Sequence, residues 1–215
     1  MEKQQINDDL YTRKLSVYYV FCCAVLAFTL LYNVVFTFIT IIPVIGNSME
    51  KTILNDQYCL CQRVFSDVDY GDIVVINTAK EGEEEHRIIK RVIAKGGDRV
   101  LFMRTEDNEK VDLYICRNGE TTFSLAEEPY IAEDMIPDGK NAAHSVFTHI
   151  SVVRYMPILG TDINDLNGEV KKAIRIVEDN HVFVLGDNRN VSKDSRSEYG
   201  TFDFGQIIAK LLYII

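Results

Sequence analysis

The sequence has fewer basic than acidic residues. Its 215 residues include 23 Lys and Arg against 32 Asp and Glu, which gives a formal net charge of −9. A surface that binds nucleic acid needs a basic footprint to neutralise phosphates. No cluster of Lys and Arg with interleaved aromatic residues occurs after Pro43. We therefore expect no nucleic acid among the partners of this protein.

The chain also lacks the cysteine and histidine spacings of a disulfide framework or a metal site. Apart from Cys22 and Cys23 in an apolar segment, it has Cys59, Cys61 and Cys116, an odd number that cannot pair completely within one chain. Cys59 and Cys61 lack the two-residue spacer of a zinc site, and the four histidines are dispersed. The sequence therefore predicts no metal and no cofactor, and it leaves open the redox state of these three thiols.

Charged residues are absent between Leu15 and Ile42, a run of 28 apolar and small polar residues. About 20 apolar residues are enough to cross a bilayer. The apolar region of a cleaved secretory signal has only about 7 to 15 residues and ends in a small-x-small site. This run is longer and ends differently, so we expect an uncleaved signal anchor whose helix ends near Ile42, before Pro43.

The basic residues around this anchor predict its orientation. Lys3, Arg13 and Lys14 precede it, and the first cation after it is Lys51. The positive-inside rule then places the N-terminus in the cytoplasm. We predict a single-pass cell-membrane protein with a cytoplasmic tail at 1–14, a transmembrane signal anchor at 15–42 and an extracytoplasmic domain at 43–215.

Short apolar runs separated by turn residues follow the anchor, and this pattern is typical of β-strands. We predict strands at 58–65, 72–76, 87–94, 99–103, 111–115, 173–177, 181–185 and 206–215. Asn118-Gly119 indicates a two-residue hairpin, and 142–154 is compatible with strand or short helix. The fold class is mostly β: an antiparallel β-sheet domain with its core at 43–100 and 170–215, an inserted smaller β-rich lobe at about 101–169, and one preceding transmembrane helix.

Ser48 lies just after the anchor, in the run Ile45-Gly46-Asn47-Ser48-Met49-Glu50-Lys51-Thr52-Ile53-Leu54. A serine is ordinary in a loop that leaves a membrane. A serine hydroxyl is also a poor nucleophile unless a neighbouring base takes its proton. Ser48 becomes a candidate nucleophile only if the chain supplies such a base.

Lys90 lies in an apolar strand pattern, where alternation places it on one face with Ile88 and Val92. One interpretation is a lysine on an edge strand that extends its amine into solvent. The other is a desolvated general base, which must be neutral. Lowering a lysine pKa from about 10.4 to about 7 costs about 4.6 kcal/mol, within the range of burial shifts.

A third segment, Val184 to Arg196, is rich in Gly, Asp, Asn, Arg and Ser and follows a predicted strand. It is compatible with a solvated loop or with a hydrogen-bonded brace for a site. Asn190-Val191-Ser192 also matches a glycosylation acceptor, which is incompatible with the brace.

Together these segments resemble type I signal peptidases, in the form with one N-terminal anchor typical of Gram-positive bacteria. The family's four sequence boxes occur here in order, beginning at Ser48, Gly71, Lys90 and Gly186, and Glu128-Pro129-Tyr130 is similar to the family's insert. The resemblance implies Ser48 as nucleophile, Lys90 as general base and the Ser192 hydroxyl as the group that orients the lysine amine. It also implies a supporting set: Arg91, Asp187, Asn188, Arg189, Asp194 and Arg196.

The function that the resemblance implies is a membrane-bound serine endopeptidase. Such an enzyme removes N-terminal signal peptides from exported preproteins after a small-x-small site, so its partners are the lipid bilayer and secreted preproteins. The Ser48 N–H would stabilise the oxyanion, and Gly46 lacks the second donor that some relatives carry. Lys51, Ala94 and Gly96 depart from the family boxes and predict altered loop geometry.

Two other functions are compatible with parts of this pattern. A membrane-anchored assembly factor would keep the fold to hold an exported subunit without turnover, and intact Ser48 and Lys90 argue against it. A self-cleaving Ser/Lys regulator would share the two residues, but it should carry a DNA-binding module in place of the apolar span.

Overall fold

The structure is a computed structural model that describes residues 2–79, 82, 84–131, 133–137 and 147–215, with side chains from Arg13 onward. The chain divides into two compact units, one ending at Thr40 and one comprising Ile41–Ile215.

The first unit is built on helix α1, Glu2–Phe38. Within it, Arg13–Phe38 is long and apolar enough to cross a membrane, and no other helix in the described part of the chain is. The helix ends four residues before the expected end near Ile42, because Ile39–Pro43 forms strand β1. Three of these five residues are isoleucine and one is threonine, and β-branched side chains favour strand.

The second unit contains the other strands, one short α-helix and a 3-10 helix at Phe204–Gln206. Their bounds are β2 Tyr58–Gln62, β3 Ile73–Asn77, β4 Arg87–Lys95, β5 Arg99–Arg104, β6 Val111–Cys116, β7 Ser124–Leu125, β8 Val152–Val153, α2 Gly168–Ala173, β9 Arg175–Ile176, β10 His181–Leu185, β11 Phe202–Asp203 and β12 Ile207–Ile214. One sheet has the order β1-β2-β12-β3-β4-β10-β11 and the other β7-β6-β5-β8, with β9 paired to β5. The predicted mostly β, antiparallel class is confirmed, with a parallel exception at β5 and β8.

The central strands of the first sheet bury side chains on both faces. All five residues of β3 except Asn77 are buried, and Val182 to Leu185 of β10 are buried as well. One apolar cluster forms around Val74 and Val184, and another forms around Phe102 and Phe183, which contributes residues from both sheets. These continuous apolar runs hold β4, which lies between β3 and β10, in the interior of the sheet.

Two expectations about local structure were inaccurate. The region 173–177 is only partly strand, because α2 continues to Ala173 with Asn167 as its N-cap. Asn118-Gly119 forms a turn in which only Gly119 has positive φ, and pairing of β6 with β7 starts at Ser124, so the loop is longer than a two-residue hairpin. Of 142–154, residues 142–146 lie outside the described residues, and the rest contains only the short strand β8.

Candidate active site

Ser48 is held by the packing of the residues that follow it. Met49 and Ile53 are fully buried in a cluster with Cys59 and Val75, and the Ile53 N–H donates to the Met49 carbonyl at 2.8 Å. The Ser48 carbonyl accepts from the Asn188 N–H at 3.0 Å. The apolar anchors and this main-chain bond fix the loop against the third segment, with the Ser48 side chain half-buried.

Lys90 meets Ser48 in this position. The Lys90 Nζ donates to Ser48 Oγ at 2.7 Å and to the Ile89 carbonyl at 2.8 Å. Lys90 is 3% exposed, and no carboxylate among the described residues lies within ion-pair distance of its amine. It lies on an interior strand, so the edge-strand interpretation is wrong.

Burial sets the protonation of this amine. Desolvation lowers the pKa of Lys90 to about 8, although the Asp194 and Asp187 carboxylates partly oppose it. Roughly one tenth of the lysine is then neutral at pH 7. The shift is smaller than the one needed for a pKa near 7, and most of the amine is neutral only above pH 8.

Ser192 is buried, and its side chain lies close to the Ser48 carbonyl at Gly186. Its hydroxyl makes no hydrogen bond of ordinary geometry within the described part of the chain, so the implied bond to the Lys90 amine is not present in this structure. A Cβ at Gly186 would overlap both the Ser192 side chain and the Ser48 carbonyl. Glycine at 186 is therefore what lets the Ser48 loop and the third segment approach so closely.

Asp187 joins three parts of the site. Its fully buried carboxylate accepts from Arg91 Nε at 2.8 Å, from Arg91 Nη2 at 2.5 Å and from the Thr52 hydroxyl at 2.5 Å. Arg91 Nη1 also donates to the Gly71 carbonyl at 2.8 Å. A two-point arginine–carboxylate pair thus ties the strand of Lys90 to the third segment, and the Thr52 hydroxyl joins the loop of Ser48 to the same carboxylate.

Asp194 and Arg196 form a second buried pair within the third segment. Arg196 Nε and Nη2 donate to the two oxygens of Asp194 at 2.9 and 2.8 Å, and the Gly186 N–H donates to Asp194 Oδ2 at 3.0 Å. Burial alone would raise the pKa of Asp194, but Arg196 and these hydrogen bonds, with the nearby Ser192 hydroxyl, hold it below its usual range. Asp194 therefore stays ionised and braces the turn.

The remaining supporting residues make separate contacts. Arg189 is buried, and its guanidinium donates to the Gly186 carbonyl and to Glu128. The Asn188 side chain contacts Glu50 at 3.3 Å and joins neither arginine pair. Asn190 is 4% exposed and bonded through both side-chain atoms, so it is not an accessible glycosylation acceptor.

Sequence reasoning gave no role to several residues that build the site. They are Thr52, Glu128, Tyr130, Asn190 and Ser195. Thr52 and Glu128-Pro129-Tyr130 belong to sequence motifs of the family that the chain resembles. Their partners lie far away in sequence, so the contacts themselves could not be predicted.

A cleft of about 1230 Å³ runs over the Ser48 and Lys90 side chains. It is lined by 42–48, 86–90 and parts of the third segment, including Asn188 and Val191. Among the described residues no group of three or more His, Cys, Asp or Glu side chains could hold a metal ion. Cys59, Cys61 and Cys116 are buried free thiols, and burial raises the pKa of Cys61 to about 12.

Two of the three departures from the family boxes have visible consequences. Lys51 adopts φ 83°, which a proline ring cannot reach. A Cβ at Gly96 would lie 3.1 Å from the Asp179 main chain, so a close backbone approach occupies the space of a larger residue. Ala94 is fully buried in the core.

The comparisons with known proteins agree with this geometry. The profile of the family described as "Signal peptidase, peptidase S26" matches residues 15–215. Signal peptidase I S of Bacillus subtilis is 33% identical, over 75% of this chain and 68% of its own length. Signal peptidase I of Bacillus amyloliquefaciens is 34% identical with the same coverage. Signal peptidase I of Rickettsia bellii is 30% identical over 67% of this chain, which spans less than half (46%) of that relative.

Proposed function

Because this chain belongs to the signal peptidase family S26, we propose that it is a serine endopeptidase that removes signal peptides from exported preproteins. The observation that carries the proposal is the 2.7 Å contact between the buried Lys90 amine and the Ser48 hydroxyl. A neutral lysine at that distance can take the serine proton, which is what a serine nucleophile requires.

In the proposed reaction the neutral Lys90 amine accepts the Ser48 proton while Oγ attacks the substrate carbonyl carbon. The resulting oxyanion accepts from the Ser48 N–H, which donates no hydrogen bond within the described residues. The lysine ammonium then gives its proton to the leaving amine as the peptide bond breaks. Water, deprotonated by Lys90, attacks the acyl-enzyme and releases the signal peptide with Ser48 restored.

The substrate is an extended segment that ends in a small-x-small site. The cleft beside 42–48 and 86–90 supports this, because both segments present backbone next to Ser48 and Lys90 and Ile42, Val44 and Ile89 offer apolar walls. Cleavage follows the last small residue. Pocket walls of this kind suit alanine-sized side chains.

We further propose the predicted arrangement: a cytoplasmic tail at 1–14, a membrane anchor over the apolar helix, and an extracytoplasmic peptidase domain. The apolar segment Arg13–Phe38 and the basic residues at its start support it. Enzyme and preprotein would then be held in one membrane, which raises their effective concentration.

The test uses the full chain in lipid vesicles with a fluorescent preprotein. Ser48→Ala and Lys90→Ala should abolish cleavage, and Lys90→Arg should fail as well because arginine cannot become neutral. Ser66→Ala and Lys171→Met alter an exposed serine and an exposed lysine away from the cleft and should cleave normally. Preprotein that binds the wild-type chain but is never cut would favour the assembly factor.

A further inference from the structure

The second sheet contributes a short segment that contacts all three parts of the site. We call residues 128–131 the strap; they follow β7 by three residues. Glu128 and Tyr130 meet Arg189 and Arg91, and the Ile131 carbonyl accepts from Lys51 Nζ at 2.8 Å. The strap thus contacts the Ser48 loop, the Lys90 strand and the third segment.

Glu128 pairs with Arg189, the arginine that donates to the Gly186 carbonyl. The Arg189 side chain is 0% exposed, that of Glu128 is 9% exposed, and Arg189 donates to both carboxylate oxygens, one bond measuring 2.7 Å. Arg189 Nε donates to the Gly186 carbonyl at 3.0 Å. A buried guanidinium needs a paired carboxylate, so the position of Glu128 determines where Arg189 holds the Gly186 turn.

Tyr130 packs on the arginine next to the base. The Arg91 guanidinium lies 4.0 Å from the centre of the Tyr130 ring and Arg189 lies 6.0 Å from it. The Tyr130 hydroxyl donates to Glu128 at 3.2 Å. Arg91 is bonded to Asp187, so this ring sets the orientation of the pair that ties the Lys90 strand to the third segment, whose Asp187 carboxylate also accepts from Thr52 in the Ser48 loop.

A further contact holds the chain just beyond the strap. Asn190 Oδ1 accepts from the Ile136 N–H at 3.0 Å, and its Nδ2 donates to the Asp134 carbonyl at 2.9 Å. Asn190 is two residues from Ser192. The chain just beyond the strap is therefore bonded to the third segment as well.

We propose that Glu128 and Tyr130 are positioning residues for the hydrolytic reaction, which set the geometry between Ser48 and Lys90 through Arg189 and Arg91. The inference rests on the proposed peptidase function. Neither residue lines the cleft, so neither is expected to bind the substrate directly. Substitution of either residue should lower kcat, because a misplacement of about 1 Å at a reacting centre lowers the rate on the order of 100-fold.

The test compares variants of the full chain in the vesicle assay, after circular dichroism and thermal melts have established that each is folded. Glu128→Gln and Tyr130→Leu should lower kcat about 10- to 100-fold with KM changed less than about threefold. Tyr130→Phe keeps the ring over Arg91 and should stay within about threefold of the wild type. Glu127→Gln removes the exposed neighbouring carboxylate and is the matched control.

The pH profile separates positioning from stability. In Tyr130→Leu, Arg91 holds Asp187 less firmly, and more water and an uncompensated carboxylate near Lys90 should move the rising limb of the profile to higher pH. A loss of folded protein alone would lower the amplitude without moving the limb.

Three outcomes overturn the inference. If folded Glu128→Gln and Tyr130→Leu match the wild type in kcat and pH profile, only the positioning role fails. If Glu128→Gln does not fold, an unchanged kcat in Tyr130→Leu still refutes that role. A wild-type chain that cuts no preprotein overturns this inference together with the proposed function.

Discussion

The Lys90 amine lies 2.7 Å from the Ser48 hydroxyl, although 42 residues separate the two in the sequence. Strand β4 supplies the lysine from the interior of the first sheet, and a loop anchored by Met49 and Ile53 supplies the serine. The pKa of Lys90 and the short distance between the two groups lead to separate predictions.

Activity should rise with pH because the base must be neutral. Burial lowers the pKa of Lys90 to about 8, so kcat/KM should increase about tenfold per pH unit below that value and level off above it. Initial rates on a preprotein peptide from pH 6 to 10 would measure this. A flat profile from pH 6 to 8 would contradict a lysine base with this pKa.

The burial of Lys90 should destabilise the fold. Its folded pKa, about 8, lies below the ordinary lysine value of 10.5, so the unfolded chain binds the extra proton between these values and stability rises with pH there. Lys90→Met should therefore raise the unfolding free energy by roughly 3 kcal/mol at pH 7, and the gain should vanish near pH 11. Urea unfolding at both pH values measures it. Lys171→Met is the control, and an equal gain at both pH values would exclude charge burial as its cause.

Much of the fold could be predicted from local patterns. The run at 181–185 became β10 with the predicted bounds, and β4 extends the prediction by one residue, because alternation and flanking turns mark strands clearly. The end of α1 could not be predicted well. An apolar β-branched run such as Ile39–Pro43 suits an anchor helix or a strand, and its pairing partners decide between them.

The candidate site was also predicted only in part. The sequence motifs pointed to Ser48 and Lys90 through the resemblance to the family. They did not reveal that Thr52 bonds Asp187 across 135 residues or that Arg189 pairs with Glu128 across 61. Such contacts depend on how the fold brings distant loops together, and no local pattern encodes that arrangement.

The close approach at Gly186 predicts a sensitive position. Gly186→Ala places a methyl group against the Ser192 side chain and the Ser48 carbonyl, so the Ser48 loop must shift. We expect cleavage to fall at least about 100-fold, with destabilisation of about 1 to 3 kcal/mol. Gly168→Ala, where a Cβ meets open space, is the matched control. Full activity in Gly186→Ala would show that the loops do not need this contact.

Asp187 should matter more to stability than Thr52. Asp187→Asn leaves the largely buried Arg91 guanidinium without its charged partner, which costs about 3 to 5 kcal/mol. Thr52→Val removes one hydrogen bond to the same carboxylate and should cost about 1 to 2 kcal/mol. Chemical unfolding at pH 7 gives both values. A larger loss for Thr52→Val than for Asp187→Asn would contradict the arginine pair as the main tie.

Restoring the family's proline at position 51 should harm this chain. Lys51 has φ 83°, whereas proline is fixed near −65°, so Lys51→Pro must rebuild the turn three residues after Ser48. It also removes the Lys51 amine bond to Ile131. We expect a loss of more than about 1 kcal/mol of stability together with lower kcat. Lys51→Gly accepts the same φ but loses the amine, so it should keep the stability of the turn. Thermal melts and cleavage rates of both variants distinguish backbone from side chain: equal damage in both would assign the effect to the amine, and a Lys51→Pro variant as stable as the wild type would show that the left-handed turn is not required.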